Sequence, residues 1–246
     1  MNNSIEHYSK FLRVTLKQEG LYYLLKRVLL YIINLPTYLL LKLKGILSLP
    51  KVFYFNNKEY KYFNHLYNLT WTNERSIEIP IVKEILGTYS PRDVLEVGNV
   101  LSHYFNCTHD IIDLKEVSKK VILRDIETFI PERKYKLVIS ISTFEHIGFW
   151  DTRIYSPLKL LRTLSNIKTN ILQEGGKLIV TIPLGFNKGL DTLLLSSNPF
   201  KTIECMYKQK SKWIETSWDL VSKSRNFPLS STNSKIILIC TLTKES

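Results

Sequence analysis

Asp93-Val94-Leu95-Glu96-Val97-Gly98 is a short apolar run that stops at a glycine. A strand buried on both faces of a parallel sheet reads this way, because neither face alternates with solvent. Downstream, Asp110-Ile111-Ile112-Asp113 is a second such run ending in an acid, and Lys120-Val121-Ile122-Leu123 leads to Arg124-Asp125 as a third. Residues 135–142 give a fourth strand. Residues 156–172 place Leu158, Leu161, Leu164, Ile167 and Ile171 at helical spacing, with Glu174-Gly175-Gly176 as the stop. Lys177 to Ile182 is a fifth strand, halted by Pro183. Leu190 to Leu195 suits a helical turn or two. Residues 202–208 and 235–242 read as late strands, with Lys212-Trp213-Ile214-Glu215 as a further candidate. Short strands separated by helices predict an α/β fold. The expected form is a doubly wound, mostly parallel sheet with an antiparallel edge.

Upstream the character changes. The chain has 246 residues and a formal charge of +12. Residues 1–62 hold ten Lys/Arg against three Glu, so a quarter of the chain carries seven of the twelve charges. The longest uncharged run there, Val28 to Leu41, lies between Lys26-Arg27 and Lys42. As a helix it would reach about 21 Å, short of a hydrocarbon core of about 30 Å. Pro36 inside it predicts a break between helices over 20–34 and 37–48. A spanning helix is therefore not expected, nor a signal peptide, since no small-residue cleavage site follows. Such a pair suits a membrane interface, with cations among phosphates and Leu/Tyr among acyl chains, or packing on the domain. Phe53-Tyr54-Phe55 and Tyr60-Lys61-Tyr62-Phe63 suggest a hairpin about Asn56-Asn57. The organisation expected is a basic α-helical N-terminal extension over 1–62 and a sheet domain over 63–246.

In an open α/β sheet, ligands bind at the carboxyl ends of the strands where the strand order reverses. That gathers Gly98, Asp113, Asp125 and the stretch from Ser140 to His146 around one crevice. Gly98 lets the backbone turn sharply and approach a ligand. A helix following it would offer free N–H groups to a carboxylate. An acid ending the second strand can accept both ribose hydroxyls, and one after the third can accept an adenine amino group. Glu145 and His146 would line the substrate side as candidate bases for a hydroxyl or amine.

The order Val94-Leu95-Glu96-Val97-Gly98, Asp113, Asp125-Ile126, Leu137 to Ile147 and Gly175 to Pro183 resembles the class I S-adenosylmethionine-dependent methyltransferases. That resemblance implies a seven-stranded Rossmann-like sheet with S-adenosylmethionine over the end of the first strand. It puts Glu96 and Gly98 by the methionine portion, Asp113 by the ribose, and Asp125 and Ile126 by the adenine. Asn99, Ser140 and Ser142 complete the implied cofactor set. The stretch from Tyr62 to Asn68, with Trp71, Asn73-Glu74-Arg75 and Glu78-Ile79-Pro80, resembles the lead-in of a bacterial and archaeal subgroup that occurs with surface-glycan genes. A glycan or lipid-linked sugar acceptor is implied. The chain departs from the family at its glycine-rich loop, where Gly98-Asn99-Val100-Leu101-Ser102 keeps one glycine of three.

The rival reading is a non-catalytic module of the same fold that docks to a membrane or to a glycosyltransferase partner. Nucleic acid is not expected as substrate, because no Asn/Asp-Pro-Pro-Tyr-type segment follows the fourth strand. No metal site is expected either, since His103, Cys107 and His109 match no zinc spacing. Three scattered cysteines (Cys107, Cys205, Cys240) exclude a disulfide scaffold and suit a reducing compartment. The expected location is cytoplasmic, with residues 11–49 as the candidate contact with the inner face of a membrane. Asn73-Glu74-Arg75 suits a lid or an ion-paired helix start. Trp213 and Trp218 among lysines suit a stacking surface or a covered sheet edge.

Overall fold

The computed structural model describes residues 52–116, 118, 120–148, 156–223 and 234–245, and most of 21–39. The chain divides into two units, Met1–Ser48 and Leu49–Ser246. The aromatic hairpin, expected with the N-terminal extension, belongs to the second unit. Its strands β1 (Val52–Phe55) and β2 (Lys58–Lys61) turn at Asn56-Asn57, both with positive φ. Phe53 and Phe55 are buried in a core shared with Ile77, Ile81 and Trp213.

The remaining strands are β3 (Val94–Val97), β4 (Asp110–Asp113), β5 (Val121–Leu123), β6 (Tyr135–Ile141), β7 (Leu172–Pro183), β8 (Thr202–Gln209), β9 (Lys212–Thr216) and β10 (Ile236–Thr243). They form one eight-stranded sheet in the order β5-β4-β3-β6-β7-β10-β8-β9. Only β10 and β9 run against the rest. The fold is thus doubly wound and Rossmann-like, with the strand order reversing at β3 and β6. The sheet has eight strands rather than seven. The extra strand is β9, which pairs with β8 across Lys210, a residue at φ +55.

Each face of the sheet buries one apolar core. Leu95, Val97, Val138 and Val180 pack against Leu160 and Leu164 of α2 (Pro157–Asn166) and Leu190 and Leu194 of α3 (Lys188–Ser196). Val94, Leu137, Ile139 and Ile141 pack on the other side against Ile77, Ile81 and Val82 of α1 (Arg75–Leu86). This strict alternation along β3 and β6 is the period-2 pattern that buries both faces. A short helix, α4 (Trp218–Lys223), covers β8. Pro80 lies inside α1 and cannot donate to the Ser76 carbonyl. That carbonyl accepts from the Phe63 N–H at 2.9 Å instead, tying the lead-in to the helix.

Three expectations need correction. No α-helix follows Gly98; a 3₁₀ turn, Leu101–His103, stands there. The crossover between Gly98 and β4 is too short to hold a helix and two turns. Glu174-Gly175-Gly176 does not end a helix but lies within β7, which begins at Leu172. Described residues on both sides of Pro36 are helical, so Pro36 does not break the N-terminal helix, and most of the predicted 37–48 helix lies outside the described residues. Leu21, Leu25, Leu29, Ile32, Ile33 and Leu39 of that unit are exposed. Among the described residues, no helix is long and apolar enough to cross a membrane.

Candidate active site

The carboxyl ends of β3, β4 and β6 meet where the sheet order reverses. Glu96, fully buried, is the anchor of the loop after β3. Its Oε1 accepts the N–H groups of Val100 (2.9 Å) and Leu101 (2.8 Å), and its Oε2 meets His109 Nε2 at 2.8 Å. The donors expected to greet a ligand carboxylate are therefore already taken by a protein carboxylate. Gly98 sits at φ +86, and a Cβ there would lie 2.3 Å from Thr143 Oγ1, so only glycine fits.

Asp113 ends β4 and is part-exposed. Its Oδ1 accepts from the N–H groups of Lys115 and Glu116, and its Oδ2 from the Asn99 N–H at 3.2 Å. The Asn99 amide donates to Glu116 Oε1, while its oxygen accepts from Ser102. Asp125 lies beyond β5, with Oδ1 on the Glu127 N–H and Oδ2 on Lys159 Nζ at 2.9 Å. Ile126 is buried in the core beside α2. Ser140, predicted to line the crevice, does not reach it. It is buried and its hydroxyl donates to the Val97 carbonyl, stitching β6 to β3.

On the other side of β6 the character is different. Ser142 is buried at φ +39, a strained setting for a side-chain-bearing residue. Thr181 holds its N–H, and its hydroxyl donates to Glu78 Oε1 at 2.6 Å. Ser142 thus belongs with an acidic cluster rather than with the cofactor loop. Glu78 also pairs with Arg75, so Asn73-Glu74-Arg75 is an ion-paired helix start. Glu145 follows in the turn Phe144–His146 and is only 2% exposed. One of its oxygens, Oε2, and one oxygen of Glu74 are buried with no hydrogen-bond partner. Burial pushes the Glu145 carboxyl well above the usual carboxylate range, and burial with the nearby Glu78 charge raises that of Glu74. His146 lies 3.7 Å from Glu145 and edge-on to Phe186; burial, Arg75 and Lys115 push its imidazole down to about 4. At neutral pH it is an uncharged, weak base.

No protein-family model and no curated protein matches the chain. Solved structures do resemble it. The N-methyltransferase NodS from Bradyrhizobium japonicum WM9, in complex with S-adenosyl-L-homocysteine, is 11% identical over 70% of this chain and 88% of its own, at a TM-score of 0.44. An S-adenosylmethionine-dependent methyltransferase from Clostridium acetobutylicum is 12% identical, covering 68% and 89%, at 0.35. A TehB-like S-adenosylmethionine-dependent methyltransferase from Corynebacterium glutamicum is 16% identical, covering 66% and 86%, at 0.38.

Several site residues escaped the sequence reading. Asn187 caps α3 and donates to the Glu145 carbonyl at 2.8 Å. An Asn before a helical run is a cap signal, but its second bond is not local. Asp191 is buried with one oxygen unpartnered and the other on the Gly185 N–H, and burial pushes it up to about 7. Trp213 is buried and covers the sheet edge instead of offering a stacking surface. The structure brings Cys107 and His109 together with Glu96, within 4.8 Å, while His103 turns to Glu116.

Proposed function

We propose that the chain is an S-adenosylmethionine-dependent methyltransferase acting on a surface-glycan or lipid-linked sugar intermediate at a membrane surface. The observation that carries this reading is the succession of strand ends. An acid-anchored glycine turn, a part-exposed acid and a third acid end neighbouring strands beside the reversal of strand order. The residues fit such a cofactor at two of three points. Asp113 Oδ2 holds only one long bond, so it keeps acceptor capacity for ribose hydroxyls. Glu96 holds the turn rigid. Asp125 must share its Oδ2 with Lys159 to reach an adenine amino group.

The cofactor supplies a methyl group made electrophilic by a sulfonium. The chain aligns the acceptor and takes its proton. Glu145 suits that role better than His146, because burial raises the proton affinity of its carboxyl, whereas burial, Arg75 and Lys115 lower that of the His146 imidazole. The exposed leucines and isoleucines of the N-terminal unit, beside Lys26, support an anionic membrane surface as its partner.

Isothermal titration with S-adenosylmethionine and S-adenosylhomocysteine tests the reading, with binding of both expected and weakened by Asp113→Ala. Failure of either to bind at millimolar concentration overturns it. Sedimentation with phosphatidylglycerol vesicles tests the membrane clause. The Glu96 carboxylate that already occupies the loop N–H groups of Val100 and Leu101 favours one rival, the non-catalytic module. That rival predicts vesicle binding without cofactor binding.

A further inference from the structure

The acidic cluster beside β6 has an imbalance of a definite kind. Glu78 is satisfied by Arg75 and Ser142. Glu74 and Glu145 each keep one buried oxygen with nothing to accept from. Both orphans are acceptors, so what the cluster lacks is a donor, and its formal charge of three carboxylates against Arg75 calls for a positive one. Lys208 offsets part of this, but its ammonium is bonded to the Thr72 carbonyl at 3.0 Å. Among the described residues, the acids and histidines whose ligand atoms converge within 4.8 Å are Glu96 and His109 with Cys107, not Glu74, Glu78 and Glu145. The spacing of the acidic cluster therefore does not suit a chelated metal ion. It suits an organic cation with several N–H groups. Phe186, nearly half exposed, stands edge-to-face with His146, the neighbour of Glu145.

We infer that Glu145 and Glu74 form a binding site for a protonated primary amine, carried by the acceptor. That the amine is the methyl acceptor rests on the proposed transferase function; that the site binds an ammonium group does not. The raised carboxyls support the inference, since an arriving cation displaces protons from them. The groups facing Glu145 are Arg75 and Glu78 of α1, Glu74 at its N-cap and the neighbouring His146; Tyr104 also acts on Arg75, and Lys115 on His146. Of these, the raised acids are the ones whose protons a cation displaces, so binding is expected to tighten as pH rises.

The probe is n-propylammonium, compared with n-propanol and with Mg²⁺, by titration calorimetry in buffers of differing ionisation enthalpy and by NMR shifts. The expected result is selective binding of propylammonium with proton release. Glu145→Gln should weaken it by roughly ten- to a hundredfold. Because that substitution removes an unpartnered buried acid, its melting temperature should hold or rise, which separates lost binding from unfolding. Glu74→Gln should weaken binding by less. Equal binding of propanol, displacement by Mg²⁺, or an unaffected Glu145→Gln variant overturns the inference. S-adenosylhomocysteine binding in the same samples separates the two readings. Cofactor without amine sinks the ammonium site alone, and amine without cofactor sinks the transferase alone.

Discussion

The two sides of the crevice are built from the same residue type under opposite rules. On the β3–β5 side, Glu96, Asp113 and Asp125 all have their oxygens engaged by backbone N–H groups, His109 or Lys159. On the side beyond β6, Glu145, Glu74 and Asp191 each leave an oxygen buried and unpartnered. A partnered buried acid stabilises the fold and its removal is costly. An unpartnered one is a standing penalty, and its removal is favourable. Acids kept under that penalty mark the side of the crevice where a ligand is needed to complete the structure.

Stability measurements break or sharpen this contrast. Glu96→Ala should have the largest effect, a loss of roughly 3–5 kcal/mol in urea unfolding, because two loop N–H groups and His109 lose their acceptor together. A loss under 1 kcal/mol would show that the loop holds itself. Asp191→Asn comes next, with the opposite sign. Asp191 titrates near 7 when folded and near its ordinary value of 3.8 when unfolded. The folded state therefore holds the extra proton between those values, and stability falls as pH rises through that window. The variant should flatten this slope and gain roughly 2–4 kcal/mol at pH 8 but little at pH 3.5. An unchanged slope would assign the pH dependence elsewhere. Glu145→Gln should raise stability by about 1–2 kcal/mol at pH 8, read from the unfolding midpoint. A clear loss would mean that its carboxyl is satisfied after all. Lys159→Ala should cost under about 1 kcal/mol, since its pair with Asp125 is part-exposed. It should also tighten nucleoside binding by freeing Asp125 Oδ2.

The strands were legible because burial on both faces writes itself into a run such as Val94 to Val97, and the acids at 96, 113 and 125 were legible from their places at strand ends. The loop after Gly98 was read as leading into a helix because a helix ordinarily follows the first strand of a doubly wound sheet. What decides against it is the length of the crossover and the Glu96 carboxylate that captures its N–H groups. Ser140 was misassigned because a serine near a strand end looks the same whether it faces a ligand or, as here, the Val97 carbonyl. Glu78 was read only as part of a lead-in and Glu74 as part of a lid or an ion-paired helix start, since nothing local reveals that Glu78 meets Ser142 and that both carboxylates act on Glu145.

The sequence by itself determined the alternation of strands and helices, the hairpin at Asn56-Asn57 and the concentration of charge and leucine in the first quarter of the chain. These follow from periodicity, turn chemistry and composition, which act over a few neighbouring residues. Only the tertiary structure decided which acids are satisfied and which are not. That depends on groups brought together from Glu78, Ser142, Glu145 and Asn187, and the free energy of a buried carboxylate is set by what surrounds it in space rather than by its neighbours along the chain.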